Sequence, residues 1–129
     1  MIVDASAVLA ILLHEEDAPR FARAIETADD LRMSVVNYVE AAVRIDGFKS
    51  DESSRDFDDF MRVTGIEPHD VTAELAETAR FAYRRYGRRN HEASLNLGDC
   101  FAYALAKATQ EPLLFKGADF AKTDIPSAL

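Results

Sequence analysis

The chain alternates between short unbroken apolar runs and longer stretches in which apolar residues recur every three or four positions. Short runs read as buried strands, and the longer spacing reads as helices with one apolar face. Residues 2–5, Ile2-Val3-Asp4-Ala5, give the first strand, and Ser6 opens a helix over 6–13 (SAVLAILL). A second helix is predicted over 17–28, with Phe21, Ala24, Ile25 and Ala28 on one face. Residues 31–34 form a short strand, and Ser34 is placed to cap a helix over 35–47 with Val36, Val39 and Val43 along one stripe. After Gly47 and the polar SDESS stretch, a helix over 51–64 carries Phe57, Phe60 and Met61 inward. Residues 65–69 read as a very short strand, which Pro68 assigns to a sheet edge. The clearest helix spans 71–86, with Leu75, Ala79, Ala82 and Tyr86 at helical spacing and Gly87 suited to the position after its end. A polar loop over 88–96 leads to a helix over 97–109 and a buried strand over 112–116 that stops at Gly117. The tail Thr123-Asp124-Ile125 offers a last edge strand.

Strands alternating with helices predict an α/β fold, a parallel sheet of four to five short strands flanked by helices on both faces. At 129 residues the chain suits one layered core, and no linker, repeat or low-complexity stretch divides it, so residues 1–129 are expected to form a single domain. The one cysteine, Cys100, excludes an internal disulfide and suits a reducing compartment. The start has no basic leader, and no apolar run reaches the length of a membrane span, so a cytoplasmic protein with no membrane partner is expected.

Fifteen Lys and Arg against twenty-three Asp and Glu leave a net charge of −8. Taken alone, that charge argues against a polyanion, because phosphate neutralisation dominates affinity for nucleic acid. It also suits an acidic site awaiting divalent cations. Four acids fall at strand C-termini or in the first turns of the helices that follow: Asp4, Glu40, Asp99 and Asp119. Ligands of open α/β sheets bind at that edge. Each acid also has an ordinary explanation. Asp4 suits a turn or cap, Glu40 a solvated helix face, Asp99 a partner for the helix dipole, and Asp119 a loop. Crowded together, carboxylates repel and raise one another's pKa unless a cation neutralises them. Hard oxygen ligands without nearby His or Cys suit Mg²⁺ or Mn²⁺ rather than zinc, and such sites assist phosphoryl transfer.

The segments IVDASAVLAIL, NYVEAAV, NLGDCFAYALA and LLFKGADFAKTDI resemble the PIN-domain ribonucleases, and within them the VapC-type toxins of bacterial toxin–antitoxin pairs. The resemblance runs nearly end to end and is most specific over residues 86–125. It implies a PIN-like fold and a Mg²⁺- (or Mn²⁺-) dependent endoribonuclease. Asp4, Glu40, Asp99 and Asp119 match the family's catalytic acids, with Asp4 and Asp99 holding metal directly. It further implies an RNA substrate, a cognate antitoxin that occludes the site, and a homodimer. Ser6 matches a hydroxyl that orients the first acid or a water, and Asp124 matches a further acid found in some members. Ala5 stands where relatives commonly carry Thr.

Arg84, Arg85, Arg88, Arg89 and His91 form a basic cluster in an otherwise acidic chain. It suits either a solvated helix end that complements the dipole or a phosphate track leading to Asp99. His14, His69 and His91 have no metal-ligand spacing, and Cys100 has no nucleophile's partners. Residues 8–13 and 57–61 serve equally as core or as antitoxin-facing surface. A signalling receiver is disfavoured, because an acidic pair does not follow the first strand. A haloacid-dehalogenase-type phosphatase is disfavoured because Ser6 stands where its second Asp belongs. The remaining alternative is a catalytically inactive PIN-like module that binds RNA or protein, which would be expected to lack one of the acids.

Overall fold

The apolar runs become the spine of the molecule. A computed structural model describes residues 1–129. In it β1 (Ile2–Val3), β2 (Arg32–Ser34), β3 (Glu67–His69) and β4 (Leu113–Leu114) form one parallel sheet in the order β3-β2-β1-β4. Ile2 faces Arg32 on one side and Leu113 on the other, and Met33 faces Pro68. Pro68 lies on an edge strand as predicted, where its missing N–H costs no ladder bond.

Six helices connect the strands: α1 (Ala5–Leu12), α2 (Ala18–Glu26), α3 (Val35–Asp46), α4 (Asp51–Thr64), α5 (Ala73–Tyr86) and α6 (Leu97–Thr109). Successive residues of a strand point to opposite faces, and β1 uses both. Ile2 joins the cluster built from α5 and α6, with Leu75, Ala79, Tyr103 and Leu105. Val3 joins the cluster built from α1 to α4, with Val8, Phe21, Ile25, Ala41 and Phe57. Both residues are fully buried, which makes each worth about 1.5–3 kcal/mol. The helices therefore cover both faces, as the alternation of elements predicted.

Strand order decides where the two halves of the chain meet. β1, β2 and β3 step in one direction across the sheet. The α5–α6 connection then carries the chain back past them, and β4 pairs with β1 on its free side. The reversal point lies between β1 and β4, the place where ligands of such sheets bind.

Several expectations need correction. The first strand stops at Val3, because the Asp4 side chain accepts the Ser6 N–H at 3.0 Å and caps α1, so the helix begins at Ala5 rather than at Ser6. The 112–116 strand contracts to Leu113–Leu114. Thr123–Ile125 is no strand. The tail makes a 3₁₀ turn at Phe120–Lys122, and its one pairing is an isolated parallel bridge between Leu113 and Ser127, leaving four strands. On α3 the expected stripe is reversed: Val39 and Val43 are 54% and 64% exposed, while Asn37, Ala41 and Ile45 are buried. Gly87 ends α5 without a left-handed turn (φ −67°). It must be glycine because a Cβ there would sit 2.3 Å from the Tyr83 carbonyl oxygen.

Candidate active site

Three of the acids are delivered by a helix start or a strand end, and Glu40 by the second turn of its helix rather than the first. Asp4 follows β1 and caps α1. Its Oδ2 accepts from the Ser6 backbone N–H at 3.0 Å and from the Ser6 hydroxyl at 2.5 Å. The Ser6 Oγ in turn accepts the Lys116 N–H at 3.0 Å, which ties the segment after β4 to the end of β1. Glu40 lies in the second turn of α3, whose start is capped by Ser34 accepting the Val36 N–H. Asp99 sits in the first turn of α6. There Asn96 caps by accepting the Asp99 N–H, and Asp99 accepts the Asn96 N–H, both at 2.9 Å. This reciprocal capping box satisfies two otherwise orphaned donors at the helix start. Asp119 opens the 3₁₀ turn after β4.

These elements bring all four acids to one cleft of about 230 Å³, lined also by Ser6, Asn96 and Lys116. The cleft stands at the reversal point between β1 and β4. Asp124 is not part of it: this acid accepts from the Tyr103 hydroxyl at 2.8 Å and pairs with Lys107 at 2.6 Å, which pins the tail to α6.

The electrostatics are those of acids kept short of cations. Asp4 is 4% exposed, and burial raises its carboxyl, opposed by its bonds to Ser6. The Asp99 carboxyl is raised to about 7, first by loss of surrounding water, then by the charges of Asp4, Glu40 and Asp119, against the opposing bond from Asn96. Glu40 is exposed as a residue, yet its carboxyl is raised by desolvation and by the charge of Asp4. The one lysine at the cleft, Lys116, turns its ammonium away to Glu15 and Asp17.

Two residues that matter here were not anticipated. Asn37 is completely buried on α3, and its amide N–H₂ lies 3.0 Å from the Gly98 carbonyl, 3.3 Å from Glu40 Oε2 and 3.5 Å from Asp4 Oδ1. One neutral donor is thus shared between two like-charged carboxylates. Its position three residues before Glu40, on the same helix face, was the available signal. Gly98 is the second. A Cβ at Gly98 would fall 2.4 Å from Glu40 Oε2, so only glycine lets Glu40 lie across the start of α6. The Asn-x-x-Asp spacing of residues 96–99 would likewise have revealed the capping box.

No three acids close into a preformed metal cage. The donor set is nevertheless all hard oxygen, desolvated and uncompensated. It fits a small divalent ion that keeps much of its water and binds through one or two carboxylates. Asp4 and Asp99, the more enclosed pair, are the groups that would hold it. Cys100 is buried, and desolvation followed by the Asp99 charge pushes its thiol up to about 11, which leaves it inert.

The PIN-domain family matches residues 1–126. The chain is 45% identical over 126 residues to Ribonuclease VapC30 of Mycobacterium tuberculosis, covering 97% of this chain and 95% of that one. It is 42% identical over 125 residues to Ribonuclease VapC of Mycolicibacterium smegmatis, covering 97% of both. This chain is a VapC-type PIN domain. The PIN fold is seen in two solved structures. VapC20 of M. tuberculosis, a toxin that cleaves the sarcin–ricin loop, superposes with a TM-score of 0.77 at 16% identity over 96% of this chain and 95% of that one. A toxin–antitoxin complex from Klebsiella pneumoniae gives 0.70 at 17% identity over 95% and 92%.

Proposed function

We propose that this PIN domain is the toxin of a toxin–antitoxin pair and cuts RNA as a Mg²⁺- or Mn²⁺-dependent endoribonuclease. The observation that carries the reading is the convergence of Asp4, Glu40, Asp99 and Asp119 on one cleft at the sheet's reversal point, with no cation of the protein's own directed to them. The relatives that bear the name ribonuclease support the same conclusion. None of the four acids is missing, which disfavours an inactive binding module.

Asp4 and Asp99 are the proposed metal ligands, and Glu40 and Asp119 complete the set through water or at a second, weaker position. A bound ion would neutralise phosphate charge and make a bound water easier to deprotonate. One cleft carboxylate would take a proton from the attacking water as its oxygen approaches phosphorus in line. The bond to the 3′-oxygen would break and that oxygen would take up a proton from solvent, leaving a 5′-phosphate and a 3′-hydroxyl. Ser6 and Asn37 hold Asp4 in place throughout.

The partners follow the same logic. Ile11, Ile25, Phe60 and Val63 line an apolar groove of about 330 Å³ on α1, α2 and α4, with Val63 74% exposed, and it is the proposed seat of an apolar antitoxin segment. No helix is long and apolar enough to cross a membrane. Residues 1–129 acting as one unit, in the cytoplasm and as a homodimer, complete the proposal. Incubation of purified protein with total RNA should give cleavage with Mg²⁺ or Mn²⁺ that EDTA and Asp4→Asn each abolish. Cleavage that survives either would overturn it.

A further inference from the structure

The arginines after α5 are absorbed by none of the chemistry above. Lys107, Lys116 and Lys122 each pair with an acid, whereas Arg84, Arg85, Arg88 and Arg89 pair with none and are exposed. No acid occurs between Glu77 and Glu92. Arg84 and Arg85 lie in the last turn of α5, where they complement the helix dipole. Arg88 and Arg89 lie beyond the helix end.

Their loop is fixed to both sides of the acidic cleft. At its base the Arg88 N–H donates to the Leu95 carbonyl at 2.9 Å, and the Leu95 N–H donates to Tyr86 at 3.0 Å. The next residue, Asn96, lines the cleft and caps the helix that carries Asp99. On the other side Lys122, in the turn that Asp119 opens, pairs with Glu92 of the loop at 3.8 Å. Inside the loop, Asn90 donates its side-chain amide to Tyr83 at 3.1 Å, and His91 accepts the Ala93 N–H at 3.0 Å while standing edge-on to Tyr86. The arginines are thus presented by a braced loop whose backbone loses little freedom on binding.

We propose that Arg88 and Arg89, backed by Arg84 and Arg85, form a phosphate-binding rim that grips the RNA backbone beside the bond to be cut. The proposal rests on the ribonuclease reading for the identity of the polyanion. A chain of net charge −8 with four acids in its cleft repels RNA overall, so recruitment needs a local field of the opposite sign.

The test is fluorescence anisotropy of a short fluorescein-labelled single-stranded RNA in EDTA, so that nothing is cut, over a range of salt concentrations. Arg88→Gln with Arg89→Gln should weaken binding on the order of tenfold and lower the slope of log affinity against log salt by about 1.4, two phosphate contacts on a single strand. Arg88→Lys with Arg89→Lys should recover most of that slope. Arg23→Gln with Arg55→Gln, the same charge change on other helices, should leave it nearly unchanged. Unchanged affinity and slope in the Arg88/Arg89 variant, or an equal loss in the Arg23/Arg55 control, overturns the rim. If the double variant fails to fold by circular dichroism, the single variants decide, each losing about half the slope. A wild-type chain that binds RNA through these arginines but never cuts it sinks the nuclease reading alone. One that cuts while the rim variants bind normally sinks the rim alone.

Discussion

At the N-terminal ends of the strands, the Met1 ammonium bonds Glu111 at 2.5 Å, and Arg32 reaches Glu111 at 2.6 Å and Asp30 at 3.2 Å. At the C-terminal ends of the same strands, Asp4, Glu40, Asp99 and Asp119 gather without a cation, the first three accepting hydrogen bonds. The pKa directions follow that contrast. Glu111 also loses water, which pulls its carboxyl up, yet the Met1 ammonium and Arg32 hold it below its usual range. Asp4, Glu40 and Asp99 all move up. One end of the sheet is neutralised internally and contributes to stability. The other keeps its charges unbalanced, which costs stability and reserves the place for a cation from solution.

The largest break in this comparison comes from neutralising the unbalanced end. Asp4→Asn or Asp99→Asn should lower RNA cleavage by about 10³-fold or more, equivalent to some 4 kcal/mol of lost transition-state stabilisation. The thermal midpoint should hold or rise, because a costly buried charge has gone. Activity within tenfold of wild type would end the assignment. Removing the shared donor is next. Asn37→Leu keeps the side chain's branched shape but removes the donor shared by Asp4 and Glu40, so Mn²⁺ affinity measured by electron paramagnetic resonance should weaken by about 10–100-fold. Unchanged affinity would reduce Asn37 to a packing role.

At the balanced end the effect should be smaller and of the opposite kind. Glu111→Gln should leave cleavage intact and cost about 1 kcal/mol in urea denaturation, the scale of a partly exposed charged hydrogen bond. A loss of activity there would contradict the separation of the two ends. The last effect is in pH. Asp99 holds its proton more tightly folded, with a pKa of about 7, than at its ordinary 3.8. The folded chain therefore binds more protons across that window, and stability must fall as pH rises through it. Melting curves without divalent ions should show this decline in the wild type and a flatter profile in Asp99→Asn. Equal slopes in the two proteins would refute the shift.

Legibility in the sequence differed by element. The helices at 51–64 and 97–109 were readable because apolar spacing and the polar stretches before them agreed, although the Ser50 and Asn96 caps went unread, and Ser34 and Pro68 took the roles their chemistry suggested. On α3 the same reasoning chose the wrong face. Apolar residues ring that helix, so periodicity could not separate Val39 and Val43 from Ala41 and Ile45. The buried polar contact of Asn37 with Gly98, sixty-one residues away, goes with the buried side. Likewise the tail formed no strand, because Thr123 turns its hydroxyl back to the Phe120 carbonyl.

The sequence by itself determined the alternation of strands and helices, the four acids at strand and helix ends, and the basic run after α5. Those depend on local periodicity, on capping chemistry and on residue type. Only the tertiary structure decided that β4 returns beside β1, that the acids share one cleft, and that Asn37 and Gly98 hold them there. The physical reason is that convergence depends on strand pairing and close approach between residues far apart in the chain, and no local pattern encodes either.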